Sequence, residues 1–90
     1  MKNLYGSIKI SKTLDNNNQC IEEYIDYYKL NNKKYGFEII KKGTKAEKLE
    51  IKNITENEEK IDILLNDLVI KEITPTSEDI IEDLIKIHKS

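Results

Sequence analysis

The stretch LEIKNITENEEKIDILLNDL, residues 49–68, changes its periodicity midway. Up to Ile51, apolar and charged side chains alternate, Leu49 and Ile51 against Glu50 and Lys52, which describes a strand with one buried face. Beyond Ile54 the apolar positions become Ile61, Leu64, Leu65 and Leu68, with Asp62, Asn66 and Asp67 off the stripe. That is the spacing of an amphipathic helix. Between the two patterns, Thr55-Glu56-Asn57-Glu58 reads as a capping box. The Thr55 hydroxyl would take the Glu58 backbone N–H, and the Glu58 carboxylate would reach back to residue 55. A strand-forming half followed by a helical half places the chain in the α+β class.

Working outward toward the N-terminus, Leu4, Gly6, Ile8 and Ile10 alternate with Tyr5, Ser7, Lys9 and Ser11, again the pattern of a half-buried strand. Asp15-Asn16-Asn17-Asn18 supplies a turn, because Asn and Asp tolerate turn conformations and bond to their own backbone. From Ile21 to Leu30, the residues Ile21, Tyr24, Ile25 and Tyr28 also fit a helical stripe. The Tyr and Ile content, with Asn31-Asn32 leading into another apolar run, favours a strand. Tyr35 to Lys42 alternates once more, and Gly43 marks the turn before Leu49. Four such segments joined by short connections predict an antiparallel meander.

Toward the C-terminus, Ile73-Thr74-Pro75 ends the first helix, since Pro disfavours a helical residue before it. Thr76 or Ser77 then caps a second helix, with Glu78 and Asp79 in its first turn and a stripe of Ile80, Ile81, Leu84, Ile85 and His88. The expected architecture is one α+β domain over residues 1–90. Its four-stranded antiparallel sheet lies within about residues 4–54, and helices at about 56–71 and 77–88 pack on one face. Leu64, Leu65, Leu68, Ile81 and Leu84 are its expected buried positions.

Composition narrows the function classes. A chain of 90 residues supports one modest core and leaves no room for a separate cofactor domain. Ile occurs 16 times, Lys 15 and Asn 9, while Ala and Val occur once each and Arg never. Without Arg, the planar fork that grips phosphate is missing, and Lys offers only a point charge. Through Ile54 there are 11 Lys against 7 acids, and from Thr55 onward 4 Lys against 10 acids, so a basic half precedes an acidic one. One Cys (Cys20) and one His (His88) give no disulfide framework and no zinc spacing. No segment approaches the ~20 apolar residues of a membrane span, and no signal peptide is evident. The protein is therefore expected in the cytoplasm, without a membrane contact.

The run Tyr35-Gly36-Phe37-Glu38-Ile39-Ile40, continued by Asn53-Ile54, Thr74-Pro75 and Asp79-Ile80-Ile81-Glu82-Asp83, resembles a small family of spore-forming, low-GC bacteria. That family is a domain of unknown function, number six-five-one-four. The resemblance covers the last two-thirds of the chain and treats the N-terminal strand as an addition. It implies a bacterial origin and no particular activity.

Residues that could carry chemistry are few. Cys20 and His88, near opposite ends of the chain, are the only candidate nucleophile and base of a thiol dyad, and Cys20 is expected to pack as a small apolar residue. Glu22-Glu23, Glu56 to Glu59 and Glu82-Asp83 read as solvated faces, since no spacing sets a carboxylate pair apart. Asp15 to Asn18 lacks the Gly and the distant Glu of a calcium loop, and Gly6, Gly36 and Gly43 are isolated, so no phosphate loop is present. Neither metal nor cofactor is expected. The aromatic set, Tyr24, Tyr27, Tyr28, Tyr35 and Phe37 among Lys29, Lys33, Lys34, Lys41 and Lys42, is the most suggestive feature. In a strand Tyr27 and Tyr28 point to opposite faces. The expected partner surface is an outer sheet face bearing Tyr27, Ile25, Ile40, Lys41 and Lys42, with Tyr27 as anchor. Such a face suits a non-enzymatic regulatory or interaction module binding a protein partner or a second copy. The alternative is weak binding of single-stranded nucleic acid by stacking on the tyrosines. A small enzyme ranks third.

Overall fold

The computed structural model describes residues 2–14, 19–43 and 45–89, with side chains at 2–11, 21–43 and 45–88. Four strands, β1 (Lys2–Leu14), β2 (Gln19–Asn31), β3 (Tyr35–Lys42) and β4 (Glu47–Thr55), are followed by α1 (Glu58–Ile70) and α2 (Glu78–Lys89). The sheet order is β1-β2-β3-β4, each neighbour antiparallel, so the expected α+β meander with two following helices is the fold observed. Residues 21–30 form a strand. The Asp15–Asn18 turn and the Cys20 side chain lie outside the described residues.

The β1–β2 pair is longer than alternation alone indicated. β3 pairs with β2 only from Tyr24, opposite Lys42, to Asn31, opposite Tyr35. Beyond Tyr24, β1 and β2 continue together as a two-stranded arm, and the molecule reaches 48 Å along its longest axis. At the base of the arm Lys41 ties three strands together, its ammonium 3.0 Å from Glu23 and 3.4 Å from Glu47.

Both outer strands are interrupted. In β1 the pairing shifts between Leu4 and Gly6, which leaves Tyr5 as a bulge. In β4 the step from Ile51, opposite Phe37, to Thr55, opposite Tyr35, carries two extra residues. Within that bulge Asn53 adopts φ of 57°, a left-handed conformation that Asn tolerates better than most side chains. The bulge brings the β4 backbone against Gly36. A Cβ there would overlap the Ile51 carbonyl oxygen and stand 2.9 Å from Lys52 Cα.

The core lies between the sheet and the helices. Ile25 and Tyr27 of β2 and Phe37 and Ile39 of β3 meet Ile61, Leu64, Leu65 and Leu68 of α1, and Ile81 and Leu84 of α2 close the far side. All five helical positions expected to be buried are buried. Helix α1 lies against all four strands, whereas α2 rests on α1 and β4. Lys29 on β2 fixes the start of α1 by bonding Asp62 at 2.9 Å and Glu58 at 3.0 Å. His88 Nε2, 2.9 Å from Asp67 Oδ2, joins α2 to α1.

The start of α1 differs from the expected capping box. Asn57 is the N-cap, and its side-chain oxygen accepts the backbone N–H groups of Glu59 at 2.9 Å and Lys60 at 3.4 Å. Asn caps a helix at least as well as Thr. Thr55 is buried two residues earlier, where its hydroxyl accepts the Asn57 N–H at 3.1 Å. The helix therefore begins at Glu58, two residues later than expected. It ends in a Schellman motif. Glu72 adopts φ of 52°, and the Ile73 N–H bonds the Leu68 carbonyl at 3.0 Å while the Glu72 N–H bonds Val69 at 3.1 Å.

That turn delivers the Ile73 carbonyl to Tyr27. The buried phenol donates to it at 2.7 Å, tying β2 to the α1–α2 connection. Burial, with Glu72 nearby, pushes the phenol well above its ordinary value. Because the folded value is raised, the contribution is fully present below the unfolded value near 10 and is lost as pH rises beyond it. Tyr27 should thus ionise only as the protein unfolds. Ultraviolet titration should show one late phenolate step coincident with loss of circular dichroism, and Tyr27→Phe should remove that step. The same substitution should lower stability by about 1–3 kcal/mol, because it leaves a buried carbonyl unpaired. A Tyr27→Phe protein with the parent's denaturation midpoint would contradict this role.

Candidate functional site

The register of β2 on β3 decides which side chains face outward. Tyr27 stands opposite Ile39 and Ile25 opposite Lys41, so all four lie on the face covered by the helices. Tyr27 and Ile25 are 0% exposed. This corrects the expectation that they lie on an outer face. Tyr27 cannot anchor a partner in the folded protein, because its ring is core and its hydroxyl is occupied. Lys41 shares the covered face, where its ammonium is held by Glu23 and Glu47. Of the five expected surface residues, only Ile40 and Lys42 lie on the open face.

The open face carries the complementary set. Along β2 it presents Glu22, Tyr24, Asp26, Tyr28 and Leu30, and along β3 Glu38, Ile40 and Lys42. Leu4 of β1 stands opposite Tyr28 and is 58% exposed, while Tyr24 is 42% exposed. Ile40 stands opposite Asp26, between the two tyrosines. Leu4, Tyr28, Ile40 and Tyr24 thus form a diagonal apolar strip across three strands. These neighbours were missed because Tyr27 was assigned to the wrong face. The three-residue turn at 32–34 sets a register in which Phe37 and Ile39 share a side with Ile25 and Tyr27. Combining that register with the apolar excess of that side would have identified the strip.

Charged groups border the strip, and they are matched within the sheet. Lys2 and Lys48 approach Glu38 at 2.9 and 3.3 Å, although the Glu38 side chain is only 1% exposed. Lys42 bonds Asp26 at 3.1 Å, and the Ser7 hydroxyl donates to the same carboxylate at 2.7 Å. Lys9 lies 3.1 Å from Glu22, which also accepts from the Tyr24 hydroxyl at 3.1 Å. The Lys2 ammonium sits 4.6 Å above the centre of the Tyr28 ring, within cation–π range.

These contacts shift protonation. Burial would raise the Glu38 carboxyl, but the hydrogen bonds from Lys2 and Lys48 outweigh it and hold it below its usual range. The Lys9 ammonium, then the Tyr24 hydroxyl, lowers Glu22. The Ser7 hydroxyl lowers Asp26 against a burial penalty, with Lys42 assisting. Glu38 raises Lys2, and Asp26 raises Lys42. Depressed carboxylates stabilise the fold above about pH 4 and lose that contribution as pH falls; raised lysines lose theirs above about pH 10. Between those limits the open face stays zwitterionic, with its charges internally neutralised.

At the end of this face where β2 turns into β3 there is a depression of about 360 Å³. It is lined by Lys2, Leu30, Asn31, Asn32, Lys34, Glu50, Lys52 and Asn53. Among the described residues, no three of His, Cys, Asp or Glu converge as a metal site requires. No helix among the described residues is long and apolar enough to cross a membrane.

Neither a curated protein nor a solved structure matches the chain. A family model does match, over residues 1–87, so the N-terminal strand belongs to the family pattern and is not an addition to it. With nearly its whole length covered, from β1 through α2, the chain belongs to the family of unknown function DUF6514.

Proposed function

We propose that this protein is a non-enzymatic, cytoplasmic interaction module that binds another protein chain through the open face of its sheet. One observation carries the reading: the strip of Leu4, Tyr28, Ile40 and Tyr24 is left uncovered on a face whose lysines are already paired. A nucleic-acid strand gains affinity by neutralising phosphates with free lysines. Here Lys2, Lys9, Lys42 and Lys48 would first have to leave Glu38, Glu22 and Asp26. A protein partner needs no such exchange. It can cover Tyr and Leu, which supply the apolar centre of an interface, and leave the charge pairs as a rim.

The test uses the parent and a Leu4→Ser/Tyr24→Ala double variant, both on exposed positions where folding should be little affected. Light scattering across concentrations and recovery of binders from a host extract should both be compared. Self-association, or a recovered protein, that the double variant loses supports the reading. Equal behaviour of the two proteins overturns it. Titration with mixed-sequence single strands at low and moderate salt provides the opposing arm. Tight, salt-sensitive binding that the double variant abolishes would replace the protein partner with nucleic acid.

A further inference from the structure

Strand β1 is flanked by β2 on one side and, among the described residues, by no strand on the other. After the bulge at Tyr5 its pairing runs unbroken from Gly6, opposite Tyr27, to Leu14, opposite Gln19. Along those nine residues every second one turns its N–H and C=O away from β2. A row of that kind specifies its occupant as an extended strand. The side chains agree. Ile8 and Ile10 lie on the covered face with Ile25, yet they stay half-buried where Ile25 is fully covered.

The arm makes the same demand. Gly6 to Lys9 lie opposite residues of β2 that β3 also pairs, whereas Ile10 to Leu14 lie opposite residues that β3 does not reach. Two strands alone are marginally stable in water. The distal part of β1 therefore lacks the support that its proximal part receives.

We propose that β1 pairs antiparallel with β1 of a second copy, about a two-fold axis at Ile10, joining two four-stranded sheets into one. Ile10 is the fifth of the nine regular residues, so this axis sets Gly6 against Leu14 and uses the whole row. Both Tyr5 bulges fall outside it. The axis also lays Ser11 to Leu14 of each copy beside Gly6 to Lys9 of the other, so each arm rests on the other's body. A strand from an unrelated protein would complete the row without this reciprocal support. Charge permits the register. Lys9 falls opposite Ser11, residue 12 opposite Ile8, and Ile10 opposite itself, so no lysine opposes a lysine. Lys9 is moreover compensated by Glu22 at 3.1 Å. Pairing β1 with β4 of a second copy offers only Glu47 to Ile51 before the register shifts, and such a contact would not close. The edge is separate from the apolar strip, so it stands or falls independently of that contact.

The experiment is sedimentation equilibrium on the full chain, with amide hydrogen exchange followed by NMR at low and high protein concentration. A dimer is expected, in which alternate amides between Gly6 and Leu14 exchange more slowly as concentration rises. Ile10→Lys and Ile10→Glu, each checked for folding by circular dichroism, should separately weaken the dimer by about a hundredfold. Each sets two like charges opposite one another at the axis. Mixed one to one they should restore it, because a two-fold there sets position 10 against itself. Ile63→Lys, on the outer side of α1, should leave the dimer unchanged. Where the charged variants do not fold, the concentration-dependent exchange of the parent decides alone. A parent that stays monomeric at millimolar concentration would overturn the proposal. So would a dimer whose β1 amides gain no protection, or one that either folded charged variant retains or that their mixture fails to restore. A dimer that Leu4→Ser/Tyr24→Ala dissolves would assign the contact to the open face and overturn it too.

Discussion

Leu65→Ala lowers the stability of this protein by about 2–5 kcal/mol, the cost of deleting a buried leucine where the surroundings cannot close the gap. Leu65 is 0% exposed and belongs to the helix that lies against every strand. A domain of this size has on the order of 5–13 kcal/mol in total, so the variant should lose a large share of its stability. Urea denaturation should show a lower midpoint with an unchanged slope. Ile63→Ala, two residues away on the outer side of α1, is the control and should shift the midpoint by less than about 1 kcal/mol. If the two variants behave alike, α1 does not face the sheet as described.

Gly36→Ala is the second large effect. The new methyl group would meet the carbonyl oxygen of Ile51 and the Cα of Lys52, which are backbone atoms and cannot rotate aside. Either β3 and β4 separate locally or the bulge rearranges, at a cost of about 1–3 kcal/mol. Gly6→Ala is the comparison. Its Cβ would lie 3.5 Å from a Val69 methyl, an ordinary contact, so little loss is expected. A parent-like melting curve for Gly36→Ala, with the Lys52 and Asn53 amide signals unmoved, would contradict the close approach of the two strands.

Much of this architecture is written in local pattern. The change at Ile54 marks the passage from strands to helices because periods of two and of 3.6 select different faces. The same stripe placed Leu64, Leu65 and Leu68 in the core. What local pattern leaves undetermined is parity. In β2, tyrosines sit at 24, 27 and 28, so both faces look aromatic, and only the pairing across the 32–34 turn shows that Tyr27 belongs with Phe37 and Ile39. A one-residue error in that assignment exchanges the covered and open faces. The cap was misplaced for a related reason. Thr55 and Asn57 are both good cap residues, and the choice between them rests on Thr55 being buried under the start of α1. The depression had no signature in the sequence at all, since its lining comes from β1, the end of β2, the β2–β3 turn and β4.

The bulges at Tyr5 and Asn53 have a consequence for the protein at high concentration. A chain with 16 isoleucines and two free strand edges has the composition and geometry from which cross-β fibrils grow. Such growth needs an uninterrupted row of backbone donors and acceptors at an edge, where the next chain can dock in register. Here each edge breaks its row once, within β1 after Leu4 and within β4 at Asn53, and Lys2, Lys9, Lys48 and Lys52 place charge beside the breaks. On the β4 edge an incoming strand finds only Glu47 to Ile51 before the register fails, whereas β1 stays regular from Gly6 to Leu14. The bulge at Asn53 therefore withholds most of the β4 edge as a template for polymerisation.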